Sequence, residues 1–152
     1  MTLVHSSFQS SYEKKKPTEM ALRRSAAVTL AAAVMDTFPD TLLVKSDVYG
    51  LGFYYDFVFS TPLNDERFSM IEERMRAITK ECIALEHIDM MRANARLYFI
   101  DRGQIIKGEI LAAVDDNVVE MVRIGSFMDL CLTPYALRTD DVAVFKLNRF
   151  YF

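Results

Sequence analysis

The stretch Glu19-Met20-Ala21-Leu22-Arg23-Arg24-Ser25-Ala26-Ala27-Val28-Thr29-Leu30-Ala31-Ala32-Ala33-Val34-Met35-Asp36-Thr37-Phe38 sets the frame for the rest of the chain. It predicts a helix, with Thr18 placed to cap its first amides and Pro39 to stop it. So many small side chains on a good helix former imply that another element packs closely against it. Beyond it, Pro39-Asp40-Thr41 reads as a turn and Leu42-Leu43-Val44 as the start of a short strand. Gly50 and Gly52 bracket a break before Phe53-Tyr54-Tyr55-Asp56-Phe57-Val58-Phe59, an aromatic and β-branched run suited to a strand. The two strands are expected to pair as a hairpin, with the segment 45–51 leaving their register open.

Further on, Asn64 is placed to cap a second helix from Asp65 to about Lys80, whose acidic first turn favours the helix dipole. Phe68, Ile71, Met75 and Ile78 fall on one apolar face of it. Ile83-Ala84-Leu85-Glu86-His87 reads as a strand leading into a helix from about Asp89 to Asp101, ended by Gly103. The remainder alternates short apolar runs with turn residues. Ile105-Ile106, Ile110-Leu111, Val118 to Ile124, Phe127 to Leu132 and Val142 to Leu147 are expected to form a sheet. Its turns fall at Asp115-Asp116-Asn117 and Gly125-Ser126. Helices laid on an antiparallel sheet make the fold class α+β.

Residues 1–18 are polar, rich in Ser and Lys, and end near Pro17, which predicts a loose arm ahead of one domain over 19–152. A length of 152 residues with 51% hydrophobic content supports one buried core. No run approaches the roughly 18–20 apolar residues that span a bilayer. Met1-Thr2-Leu3-Val4-His5-Ser6-Ser7 lacks the pattern of a secretory signal, so a cytoplasmic location is the expectation. Cys82 and Cys131 stand far apart, which argues against a disulfide framework or a cysteine zinc site and reads as two buried thiols. The net charge of −3 disfavours strong unaided nucleic-acid binding. Lys14-Lys15-Lys16, followed by Arg23-Arg24, is the one dense basic segment. No GxGxxG, HExxH or GxSxG motif and no phosphate-binding loop is present. His5 and His87 are the only histidines and neither has a second at ligand spacing, so both read as structural or surface residues.

Six segments in order carry a further signal. They are Arg24-Ser25-Ala26-Ala27-Val28 on a helix ending at Phe38-Pro39, Gly52-Phe53-Tyr54-Tyr55-Asp56, and Ile71-Glu72-Glu73-Arg74-Met75. Ile106-Lys107, Phe127-Met128-Asp129-Leu130-Cys131-Leu132-Thr133-Pro134-Tyr135 and Val144-Phe145-Lys146-Leu147 complete the series. Together they resemble the editing-type domain of threonyl-tRNA synthetase, shared with alanyl-tRNA synthetase and free-standing relatives. The likeness runs from about Ala21 to Leu147, and Gly-Phe-Tyr-Tyr-Asp and Asp-x-Cys-x-x-Pro are its most specific pieces.

In that family a His-x-x-x-His pair on the first helix and a late Cys-x-x-x-His form a metal-type pocket, where mischarged serine is cut from the tRNA end. Here Arg24 and Val28 stand at the histidine pair and Tyr135 at the last histidine, leaving Cys131. Valine can neither ligate nor titrate, and one thiol without an imidazole falls short of the ligands zinc requires. No metal and no cofactor are therefore expected. Lys107, Asp129 and an aromatic at Tyr54 or Tyr55 match polar residues of the family pocket. They either line a cleft for a small polar ligand or form a surface ion pair beside core tyrosines, and Arg24 would suit a carboxylate or phosphate at the pocket mouth.

Three functions remain in view. The first is a non-catalytic, editing-domain-like protein that binds a small polar ligand, an aminoacyl-tRNA 3′ end or a protein partner such as a synthetase. Its ligand residues would be Arg24, Tyr54, Tyr55, Lys107, Asp129 and Tyr135. The second is a trans-editing hydrolase for mischarged seryl-tRNA, in which Lys107, Asp129, Cys131 and Tyr135 position a water without metal. The third is a structural homo-oligomer, cued by the aromatic tail Leu147-Asn148-Arg149-Phe150-Tyr151-Phe152. Cys131 has no histidine beside it in the matched pattern, so it reads as an inert thiol. The chain leaves no room for a class II catalytic core, and aminoacylation by it alone is not expected.

Overall fold

In the computed structural model, which describes residues 16–131, 135–136, 138–142 and 145–148, the alanine-rich stretch is helix α1, Glu19–Thr37. Thr18 Oγ1 accepts from the Ala21 N–H at 3.1 Å, and the Phe38 N–H closes the last turn on the Val34 carbonyl at 2.7 Å. Ala21, Ser25, Ala26, Ala27, Val28, Thr29, Ala31, Ala32, Ala33 and Val34 are all buried, far more than one stripe of a helix. Burial on so many sides is characteristic of a central helix. The alanines thus admit several neighbours where the sequence implies at least one.

One neighbour is a hairpin of β1, Leu42–Tyr49, and β2, Gly52–Val58. Ala31 shares a core cluster with Leu43 and Tyr55 of these strands. The register is now fixed, with Tyr49 opposite Gly52 and Leu42 opposite Val58, and it shifts between Leu43 and Ser46. β1 is longer than the short strand expected, because a two-residue turn suffices once Gly50 adopts φ +55°. A second neighbour is α2, Asp65–Lys80, capped by the Asn64 side chain on the Arg67 N–H at 2.8 Å. It turns Ile71, Met75 and Ile78 into the core and leaves Phe68 half-buried.

The third neighbour is a three-stranded antiparallel sheet in the order β3 (Leu85–Met91), β4 (Val118–Ile124), β5 (Phe127–Leu130). β3 continues through Asp89, Met90 and Met91, which the sequence assigns to a helix. Pairing with β4 from Leu85–Ile124 to Met91–Val118 decides the matter, since Ile88 and Met90 then meet the cluster around Phe99 and Leu111. The helix that follows is α3, Arg92–Asp101.

The segment expected as strands at Ile105-Ile106 and Ile110-Leu111 is instead helix α4, Ile105–Ala112. Gln104, Lys107, Gly108 and Leu111 are its buried positions, a spacing of three and four that only a helix produces. The strand reading followed the isoleucines, yet Ile105 is 58% exposed and Ile110 36%. Two polar side chains face inward in their place. Gln104 Oε1 accepts from the Leu43 N–H at 2.8 Å and its Nε2 donates to the Thr41 carbonyl at 2.9 Å, which ties α4 to the first hairpin. Gly108 lets α3 approach, since a Cβ there would lie 2.9 Å from Ile100 Cγ1.

After β5 a short 3-10 turn, Thr139–Asp141, packs on the end of α2. Thr139 Oγ1 donates to the Ile78 carbonyl at 2.9 Å and accepts from the Ile83 N–H at 3.0 Å. The strand expected at Val142 to Leu147 is not found among its described residues. Val142 closes the turn, and 145–148 carry no strand pairing, while Phe145 and Leu147 pack on the core. The architecture is α+β, with four α-helices and two small antiparallel sheets rather than one among the described residues. No helix among the described residues is long and apolar enough to cross a membrane. The expected arm is described only from Lys16, and the aromatic tail only as far as Asn148.

Candidate functional site

Along β4 and β5 the side chains alternate between two faces. Val119, Met121, Met128 and Leu130 join the cluster around α3 and α4, whereas Val122, Ile124 and Phe127 face the cluster around α1. Asp129 pairs with Val122 and so belongs to the α1 side, as do Glu120 and, on β3, His87, which also pairs with Val122. The Cys131 N–H donates to the Glu120 carbonyl at 2.9 Å, carrying the ladder one residue past β5 and putting Cys131 on the same side.

At the deeper end three residues meet. Lys107 Nζ lies 2.9 Å from Asp129 Oδ1, and the Tyr55 hydroxyl donates to Asp129 Oδ2. Lys107 is 4% exposed and Asp129 2%, which overturns the reading of a surface pair. Asp129 Oδ1 also accepts from the Leu130 N–H at 2.8 Å, and the lysine ammonium lies 5.3 Å from the Tyr55 ring centroid. Burying both charges costs several kcal/mol per ion, on the order repaid only by close pairing and additional hydrogen bonds such as these. Burial first, then the Asp129 charge and the hydrogen bond to it, push the Tyr55 phenol well above its ordinary value. A smaller push comes from Tyr135. Tyr54, one residue along β2, points to the opposite face, so Tyr55 alone supplies the aromatic.

At the open end stand Cys131, His87, Glu120 and Tyr135. His87 Nε2 is 3.0 Å from Cys131 Sγ, and the His87 ring meets Tyr135 edge to face at a centroid distance of 6.3 Å. This corrects two expectations. His87 is not isolated, and Cys131 does have an imidazole within reach. Neither thiol is buried as expected: Cys131 is half-buried, and Cys82 is exposed in a loop where it adopts φ +55°. Among the described residues a ring nitrogen of His87, a Glu120 carboxylate oxygen and Cys131 Sγ form one group of potential metal ligands, all within 4.8 Å of one another.

Arg24 and Val28 both lie on α1. Val28 is 3% exposed inside the core, and Arg24 is half-buried with a buried Nε that has no hydrogen-bond partner among the described residues. The Ala136 N–H donates to Ser25 Oγ at 2.7 Å, and Ser25 in turn donates to the Ala21 carbonyl. That anchor holds the backbone next to Tyr135 against the turn of α1 that carries Arg24. The structure therefore gathers Tyr55, Lys107 and Asp129 into one cluster, with Cys131 and Tyr135 at its open side. His87 and Glu120 were missed. Their only signal was the alternation of Leu85-Glu86-His87-Ile88-Asp89-Met90, which gains meaning once β3 is paired with β4.

No family model matches the chain. It is 38% identical over 126 residues to the threonine–tRNA ligase of Lawsonia intracellularis, covering 83% of this chain and 20% of that protein. The threonine–tRNA ligases of Nitrosomonas europaea and Dechloromonas aromatica are 37% and 36% identical over 129 residues, covering 84% of this chain and 20% of each. The chain is thus related along most of its length to the threonine–tRNA ligases, and it spans about a fifth of the length of the curated relatives it matches.

Proposed function

We propose that the chain is an editing-domain-like module that binds a small polar ligand of the aminoacyl-tRNA 3′-end type without hydrolysing it. The observation that carries this reading is the fate of the first helix. Val28 sits in the core, where it can activate nothing, while Arg24 on the same helix keeps a buried guanidinium nitrogen without a hydrogen-bond partner among the described residues, and Tyr135 stands beside His87. Arginine offers a planar donor set suited to a carboxylate or phosphate. The likeness to threonine–tRNA ligases makes seryl- or threonyl-tRNA ends and a synthetase the first partners to test.

A second reading, a trans-editing hydrolase, is favoured by one contact. A cysteine 3.0 Å from an imidazole nitrogen has the base that a nucleophilic thiol needs. Deacylation of seryl-tRNA specific for threonine, by the intact chain and by His87→Ala, separates the two. No turnover by either, together with measurable binding of a non-hydrolysable seryl-adenosine analogue that Arg24→Ala weakens, supports the binding module. Turnover lost in His87→Ala supports the hydrolase, and absence of both turnover and binding removes both.

A further inference from the structure

We infer that His87, Glu120 and Cys131 form a three-ligand site for a divalent cation of the zinc class, open to solvent on its fourth side. The inference does not depend on the binding reading above. Its first support is the ligand set. One thiolate, one imidazole and one carboxylate are the donors zinc takes, and three protein ligands with one free position match its tetrahedral preference. Its second support is geometry. Cys131 is opposite Glu120 across the β4–β5 ladder, and His87 on β3 pairs with Val122, two residues along β4 from Glu120. Two strands and the residue just past the end of β5, held by its amide on the Glu120 carbonyl, thus position the three ligand backbones.

The ligand atoms already lie within 4.8 Å of one another, against the roughly 3.6 Å that tetrahedral bonds of about 2.0–2.3 Å require. His87 and Glu120 are exposed and Cys131 half-buried, leaving the side chains room to close on an ion. The Cys131–His87 contact at 3.0 Å would open slightly as the thiol proton leaves and the metal takes its place. Local charge is the third support. Asp89 faces Glu120 directly across β3 and β4, an unfavourable pairing of like charges that a cation relieves. Neither carboxylate is in an ion pair among the described residues.

The test is a titration of the chelator-stripped full chain with cobalt(II), read by the thiolate-to-cobalt charge-transfer absorption, followed by displacement with zinc. One equivalent should saturate the band, and zinc should abolish it. Cys131→Ser should eliminate the band. His87→Ala and Glu120→Gln should each weaken binding by more than about tenfold, the loss that even outer-shell changes reach. Cys82→Ser, which removes the other thiol, and His5→Ala, which removes the other histidine, should leave the titration unchanged. Circular dichroism of each variant verifies folding, and His87→Ala, a change at an exposed position, serves if Cys131→Ser does not fold. Absence of a band in the parent chain, a band that survives Cys131→Ser, or affinity unchanged in His87→Ala would overturn the site.

Discussion

Asp129 in β5 and Cys131 just past its end lie two residues apart on the same side of the sheet, yet they head two different kinds of polar cluster. Asp129 is sealed, its carboxylate engaged by Lys107, Tyr55 and the Leu130 amide at 2% exposure. Cys131 is half-buried beside the exposed side chains of His87 and Glu120. The difference is one of depth: α4 and β2 cover the first cluster, whereas the second meets solvent over β3. In a closed cluster each charge depends on the other, because removing one partner strands the other without compensation. An open one is free to exchange protons, ions or ligands.

The comparison breaks most readily at Lys107. Lys107→Met leaves Asp129 buried without its counter-charge, and should cost about 3–5 kcal/mol in urea unfolding. Lys107→Met combined with Asp129→Leu should recover most of that loss. A single variant as stable as the parent would mean that the pair is not sealed. Loss of activity in a lysine variant is accordingly interpretable only beside its stability.

Tyr55→Phe removes one hydrogen bond to a charged acceptor, and should cost about 1.5–3 kcal/mol. The same variant tests a pH dependence. The folded phenol sits well above its ordinary value of 10.0, so the unfolded chain releases that proton first. Its contribution to stability is therefore complete below about pH 10 and declines as pH rises toward the folded value. Chemical denaturation across that alkaline range should fall more steeply for the parent than for Tyr55→Phe, and equal slopes would remove the linkage.

At the open cluster the effects on stability should be small. His87→Ala and Glu120→Gln should each shift metal-free stability by no more than about 0.5 kcal/mol, as is usual at exposed positions. A loss of 2 kcal/mol or more, on the order expected of core changes, would place them with the sealed cluster instead.

Much of the frame was legible in the residues. Thr18 and Asn64 announced their helices, because a capping side chain acts on amides two or three positions away. Gly125-Ser126 marked the turn between β4 and β5, with Gly125 at φ +58°. The likeness to a threonyl-tRNA synthetase segment was carried by short motifs whose order needs no structure to read. α4 was not legible, since its isoleucines face outward and its buried positions include a lysine, a glutamine and a glycine. Apolar spacing misleads when the inward groups are polar and find their partners on distant strands.

The sequence by itself determined the boundaries of α1 and α2, the turn glycines, and the residue identities Arg24, Val28, Lys107, Asp129 and Cys131. Those properties rest on local capping chemistry, backbone preference and residue identity. Only the tertiary structure decided that Lys107 and Asp129 are buried together and that His87 stands beside Cys131. These partners are separated by 22 and 44 positions in the chain, and strand register and helix packing, which no local pattern encodes, bring them within reach.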